Sequence, residues 1–315
     1  MRDILVITGG AGFCGTHLAE RLSSQFRVRL FDSFARDSLR FSPYLIDSPD
    51  IEIVRGDVLD KQSLRTAVDG ARVVVHCAAI AGVSNYYERP IEVLRVNIIG
   101  TFNLLDALVD ARVERIIQFS TSEIYGPHAN SVAESALPTT GLVTDRRWVY
   151  SVGKLAAEHA TLRYGEVYGI EATTVRPFNI YGPRQTGEGA IANFARNLIR
   201  GDPLDVFGDG SEVRAWCHIT DLVTAIELML NNKDAYNKAF NIGNPQARLT
   251  TMELAETMIA IYGKGQIRTV PQKHTPVTLR IPDISLAQAV LGFNPRVNIM
   301  EGLKDTIKWF EEAMS

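Results

Sequence analysis

Short apolar runs alternate with longer amphipathic stretches through the first half of the chain. ILVIT (4–8), RVRLFD (27–32), IEIVRGD (51–57), RVVVHCAA (72–79), RIIQFS (115–120) and EATTVRP (171–177) predict strands. Helices are predicted near 12–24, 60–69, 90–112 and 148–169. In two of these, apolar residues recur at helical spacing: Leu94, Ile98, Leu105 and Leu108, then Leu155, Ala156, Leu162 and Tyr168. Strands alternating with helices predict an α/β fold, a doubly wound parallel sheet of Rossmann type. ILVIT and VVVHCAA are nearly continuous in apolar residues, as strands covered on both faces should be.

After about residue 176 the rhythm breaks, and Pro and Gly become frequent in RPFNIYGPRQTGEGA, GDPLDVFGDG and NIGNP. Short helices (189–200, 220–231, 251–262) mix with short strands (204–207, 267–270). This predicts a cofactor-binding domain over 1–175 and a smaller C-terminal α/β substrate-binding domain over 176–315. The division is discontinuous, because 215–245, with AFNIG (239–243), reads as returning to the main sheet.

Composition narrows the function classes. The chain has 315 residues, 46% hydrophobic and 22% charged, with a net charge of -3. It has no basic field for nucleic acid. No apolar run reaches membrane-spanning length. The strand-like DILVIT starts at once, so no signal peptide is expected. Cys14, Cys77 and Cys217 are scattered, with no metal spacing, and predict reduced thiols in a cytoplasmic protein with no metal site.

TGGAGFCG lies between the first strand and the first helix, and Gly9, Gly12 and Gly15 form G-x-x-G-x-x-G. Glycines there allow a tight turn and bring backbone N–H groups and a helix N-terminus to a pyrophosphate. Asp32 ends the second strand, placed to accept hydrogen bonds from the adenosine ribose of NAD and to repel the extra phosphate of NADP. Its plainer role is a helix cap or turn residue, and Arg36 and Arg40 nearby keep NADP open. Asp57 and Val58 follow the third strand, within reach of an adenine. Ala78, Ala79 and Ala81 end the fourth with little bulk, which suits either a passing cofactor or plain packing.

Tyr150 and Lys154 in YSVGK share a helix face at i, i+4. An ammonium beside the phenol would lower its pKa and make Tyr150 a base for a sugar hydroxyl, which Thr121 would orient. Lys154 would also hold the nicotinamide ribose. A surface Tyr–Lys pair is the plainer alternative.

TGGAGFCG, Asp32, the strand-end serine and threonine, and YSVGK together resemble the extended short-chain dehydrogenase/reductases. These are NAD-dependent nucleotide-sugar epimerases, dehydratases and decarboxylases. NIIGT, RPFNIYGPRQ, FGDGSEVRAWCHITDL, FNIGNP and R-x-PD carry the likeness along nearly the whole chain. The resemblance implies cofactor contacts from Gly9, Gly12, Phe13, Cys14, Gly15, Asn97, Ser120 and Pro177 besides those above. It implies substrate contacts from Tyr86, Thr121, Asn179, Asn193, Phe194 and Val206, and a diphosphate clamp from Arg214 and Arg280, which also read as surface ion-pair partners. It implies a homodimer built as a four-helix bundle from the helices near 92–112 and 148–169. His218 reads as a packed residue.

All members of this family begin by oxidising the sugar at C4. A 4-epimerase needs no carboxylate beside Thr121. A 4,6-dehydratase needs a base for the C5 proton and an acid for the leaving hydroxyl, and a glucuronate decarboxylase needs a proton donor at C5. Ser122 and Glu123 in Thr-Ser-Glu fit the last two; a dipole-friendly carboxylate at a helix start is the plainer role for Glu123. NYYERP, with Tyr86, and the Arg147-Trp148 pair before Tyr150 resemble UDP-glucuronate decarboxylases, although Tyr86 and Trp148 also suit simple packing. The reading is UDP-glucuronate decarboxylation. A 4,6-dehydratase, a 4-epimerase and a non-catalytic NAD(H)-sensing regulator are the alternatives.

Overall fold

The computed structural model describes residues 2–315. Seven parallel strands form the central sheet in the order Lys238–Ile242, Glu171–Pro177, Arg115–Phe119, Ala71–His76, Ile4–Thr8, Arg27–Asp32, Ile51–Arg55. The fold is of Rossmann type. Chain order reverses beside Ile4–Thr8, which pairs with both Arg27–Asp32 and Ala71–His76. Ligands of such sheets bind outside the carboxyl ends of the strands at that point.

Alternating residues of the first strand serve opposite faces. Leu5 and Ile7 pack with Leu18, Leu222 and Phe240 on one side. Val6 packs with Val74, Leu104 and Leu108 on the other. Each fully buried aliphatic side chain contributes about 1.5–3 kcal/mol relative to exposure. Two buried layers therefore hold the strand ends, and the loops on them, in fixed places.

Strands end sooner than their apolar runs suggest: the fourth stops at His76 and the third at Arg55. The predicted helix over 90–112 is three pieces, Pro90–Leu94, a π-helical turn Arg95–Ile99, and Gly100–Asp110. The cause is local. Asn97 turns inward, where its Oδ1 accepts from Ile80 N at 3.1 Å, and Gly100 packs against Val58. Side chains inserted in this way are a common cause of π-turns beside functional sites.

Beyond the sheet, Ala190–Arg200, Thr251–Tyr262 and Ile299–Met314 pack a further apolar cluster with Leu204 and Val206. The last of these helices was not foreseen from the sequence. Neither was a four-stranded sheet in the order Arg248–Thr250, Val213–Ala215, Leu279–Pro282, His128–Val132. Its strands are three to five residues long, too short to show a period of two. In it Val213–Ala215 and Leu279–Pro282 run parallel with Arg214 opposite Arg280. Directly paired residues share a sheet face, so register alone sets these two guanidinium groups side by side.

Candidate active site

Gly9 adopts φ +69, and a Cβ there would meet Ala78 N at 2.7 Å. A Cβ on Gly15 would collide with Gly9 O and sit 2.7 Å from Gly10 Cα. The loop is thus a cradle that only glycine can line. The helix Phe13–Leu22 that follows has Gly12 as N-cap and no side-chain cap, so its first N–H groups face outward with the positive end of the dipole. Asp32 accepts from Ala11 N at 3.0 Å and Phe34 N at 2.7 Å. Burial raises its pKa, and those hydrogen bonds oppose the rise. The arrangement fits the pyrophosphate and adenosine ribose of NAD.

Both arginines near Asp32 have partners of their own. Arg36 donates to Ala81 O at 2.7 Å, and Arg40 lies over the Phe41 ring. Val58 is buried beneath Gly100, Asp57 accepts from Leu59 N, and the Asn97 amide is spent on Ile80. Cys14 packs partly buried against the core, and burial pushes its thiol up to about 12. Cys14, Cys77 and Cys217 are all free thiols.

The helix Val149–Tyr168 brings Tyr150 and Lys154 beside the strand-end hydroxyls. Lys154 is buried and donates to Phe119 O at 2.5 Å, and burial lowers its pKa to about 8. Tyr150 does not have the depressed pKa expected from a neighbouring lysine. Burial raises it, the charge of Glu123 and Cys14 adds to the rise, and Arg36 and Thr121 oppose it. The physical reason is that the ammonium turns to a carbonyl and is itself desolvated. The protein alone therefore does not activate Tyr150; positive charge brought by a bound oxidised nicotinamide would act in the needed direction.

Beside Tyr150 is a polar cavity of about 200 Å³, lined by Thr121, Ser122, Glu123 and Arg147 together with Asn179, Arg214 and Arg280, and by Pro177 and Val277. Thr121 begins the short 3-10 turn Ser122–Tyr125, accepting from Glu123 N at 3.2 Å. Arg280 is buried, donates to Gly126 O at 2.6 Å and keeps its Nε without a partner. Burial pushes it down to about 10; Glu123 works against that, while Arg214 and Arg147 add to it. Burial likewise lowers Arg214. Asn179 has φ +42 and donates its amide to Ala215 O, which leaves its carbonyl oxygen unspent. A cavity with three guanidinium groups and one carboxylate is built for a polyanion.

Glu123 is held by Arg147 through two hydrogen bonds of 2.5 and 3.1 Å. Burial pushes its carboxyl up, but the charge and hydrogen bonds of Arg147, with Arg280 and Arg214 behind, outweigh burial and hold it below the ordinary carboxylate value. The carboxylate serves this pair rather than the dipole of a helix start.

Other predicted residues fall outside the cavity. Phe194 and Val206 are buried in the C-terminal cluster, and only their backbone could meet a ligand. Asn193 is exposed and accepts from Arg196. The Ser120 hydroxyl is buried without a partner. His218 caps the helix Ile219–Leu230 and bonds Thr220. Trp148 is buried against Gly141. Arg147, noted in the sequence only as half of the Arg147-Trp148 pair before Tyr150, was given no place in the sequence-based site, and the structure puts it in the cavity wall.

A profile of the NAD dependent epimerase/dehydratase family matches residues 5–243. The chain belongs to this family. Members use NAD, as the glycine cradle and Asp32 suggest for this chain too. Among its relatives is a UDP-N-acetyl-alpha-D-glucosaminuronate decarboxylase of Bacillus cytotoxicus, 34% identical over 99% of both chains. Another is UDP-glucuronic acid decarboxylase 1 of Danio rerio, 31% identical over 99% of this chain and 74% of the relative. A solved family structure, UDP-glucuronic acid 4-epimerase from Bacillus cereus with UDP-glucuronic acid and NAD, superposes with a TM-score of 0.90. It is 27% identical and covers 98% of this chain and 99% of its own. The protein is thus an NAD-dependent enzyme of the epimerase/dehydratase family acting on nucleotide sugars. Among the described residues, no helix is long and apolar enough to cross a membrane.

Proposed function

We propose that the protein decarboxylates a UDP-linked hexuronate, UDP-glucuronate or its 2-acetamido counterpart, through a transient 4-keto sugar. The observation that carries this reading is the single carboxyl of the cavity, held ionised among three guanidinium groups. Such a site attracts a second carboxylate, that of the substrate. The names of the relatives support the same reading.

Bound NAD would accept the C4 hydride and return it at the end of the turnover. Tyr150 takes the O4 proton while Thr121 holds the hydroxyl in line. In the resulting β-keto acid the C5–C6 bond breaks, its electron pair passes toward O4 as an enolate, and carbon dioxide leaves. The guanidinium of Arg280, whose Nε is unspent, would add positive charge to the cavity in which the anion forms. Glu123 relays a solvent proton to C5, and Tyr150 gives its proton back to O4. One proton is consumed per carbon dioxide released.

Residues 1–175, with 215–245, would hold the cofactor, and 176–315 the nucleotide sugar, Asn193 and the backbone at Phe194 and Val206 meeting the base. Ile99, Phe102, Val152 and Val167 are exposed on the helices near 92–112 and 148–169. They support a homodimer through a four-helix bundle, which light scattering tests. Three free thiols suit the cytoplasm.

The test is incubation with both UDP-hexuronates, following carbon dioxide and product mass. Loss of carbon dioxide supports the reading. Loss of water indicates a dehydratase, an isomer of unchanged mass indicates a 4-epimerase, and NAD binding without conversion indicates a sensor. Any of the last three overturns it.

A further inference from the structure

Arg147 touches both halves of the proposed chemistry. Its guanidinium is buried, forks onto Glu123, and lies 5.5 Å from the centroid of the Tyr86 ring. Tyr86 in turn stacks on Tyr150 with centroids 5.2 Å apart. The backbone of Arg147 is fixed as well, since its N–H donates to Asp145 at 2.9 Å in the turn Arg146–Trp148 that leads into the Tyr150 helix. One side chain therefore spans the carboxylate of the strand-end turn and the aromatic pair that contains the base.

The fork has a geometric consequence. A carboxylate held by one contact swings about it; two parallel N–H donors fix both oxygens and the plane between them. A planar C5 enolate can be protonated from either face, and only a donor held in one place chooses the face. We propose that Arg147 is the positioning residue that aims Glu123 at one face of C5, and that it keeps this carboxylate at a fixed offset from Tyr150 through Tyr86. The proposal rests on the decarboxylase reading. It requires no contact between Arg147 and the sugar.

The test uses turnover of UDP-glucuronate in deuterium oxide by the intact enzyme with NAD. Three quantities are read: carbon dioxide, NADH absorbance, and the configuration of deuterium at C5 by NMR. The wild type is expected to place the label in one configuration. In Arg147→Met at saturating substrate, NADH should accumulate, because hydride cannot return until C5 is protonated; product formation should fall about 10²-fold, the size of effect a misplaced group has. The label should appear in both configurations. Arg147→Lys keeps the charge without the fork and should recover rate more than stereochemistry; it carries the same test if the methionine variant does not fold. On a Glu123→Gln background, Arg147→Met should change little further, because it acts through that carboxylate.

A single label configuration at near wild-type rate in the Arg147 variants overturns the role, as does an undiminished effect on the Glu123→Gln background. Absence of carbon dioxide from the wild type overturns the decarboxylase reading itself, and the role of Arg147 with it.

Discussion

The ring of Tyr86 lies against that of Tyr150, centroids 5.2 Å apart and planes 12° from parallel, so the proposed base is held on its flat face by a second phenol. Tyr86 accepts from Gly82 N through its hydroxyl and is buried. Stacked aromatic pairs contribute about 0.5–1.5 kcal/mol beyond area burial, but here the larger effect is orientation. Tyr86→Ala should lower kcat about 10- to 100-fold with a smaller change in KM. Tyr86→Phe keeps the stack and should stay within about threefold. Steady-state kinetics with UDP-glucuronate decide this, and equal losses in the two variants would assign the effect to the hydroxyl.

Glu158 of the helix Val149–Tyr168 holds Arg176 of the strand Glu171–Pro177, with Nε 3.0 and 3.2 Å from the two carboxylate oxygens and both residues buried. Arg176 also donates to the Tyr125 hydroxyl at 2.6 Å, which ties the strand-end turn into the same network. Removing one partner leaves an uncompensated buried charge, which costs about 3–5 kcal/mol. Glu158→Ala should therefore lose stability of that order in urea unfolding, and a loss below about 1 kcal/mol would place the pair among surface-like bridges.

The cofactor cradle has no room for a methyl group at Gly15, where an added Cβ would meet Gly9 O and Gly10 Cα. Gly15→Ala should weaken NAD binding at least about 10-fold while the sheet remains folded. Calorimetric titration with NAD, beside circular dichroism, separates the two. Unchanged affinity would show that the pyrophosphate does not approach this loop.

Lys154 gives opposite pH trends in stability and activity. Burial brings its pKa down to about 8 in the folded protein. An unfolded lysine holds its proton to about 10.4, so between these values the unfolded chain binds more protons, and this residue's contribution to stability rises with pH. Below about pH 8 the folded state also carries the buried charge, and the penalty is full. The proposed 4-oxidation step, in which the ammonium would hold the nicotinamide ribose, should fall as pH rises through the same window. Stopped-flow NADH formation and thermal unfolding between pH 7 and about 10, for the wild type and Lys154→Met, measure both trends. Parallel trends would remove Lys154 from the proton chemistry.

The sequence alone determined the alternation of strands and helices, the parallel sheet, the glycine loop with Asp32, and the Tyr150–Lys154 pair. These are local signals: period, spacing and turn chemistry act over a few residues, and a short stretch of chain carries them whole. Tertiary structure decided the rest. The Arg214–Arg280 pair exists because two three- and four-residue strands, far apart in the chain, meet in one register. The electrostatics of Tyr150 and Lys154 were misjudged from spacing, because a shared helix face does not reveal that Phe119 O captures the ammonium. Glu123 was visible as a carboxylate beside Thr121. That its pKa is lowered, that Arg147 forks onto it and that Arg147 and Tyr86 link it to Tyr150 depends on four segments meeting, and charge in a low-dielectric interior takes its value from such neighbours rather than from its place in the chain.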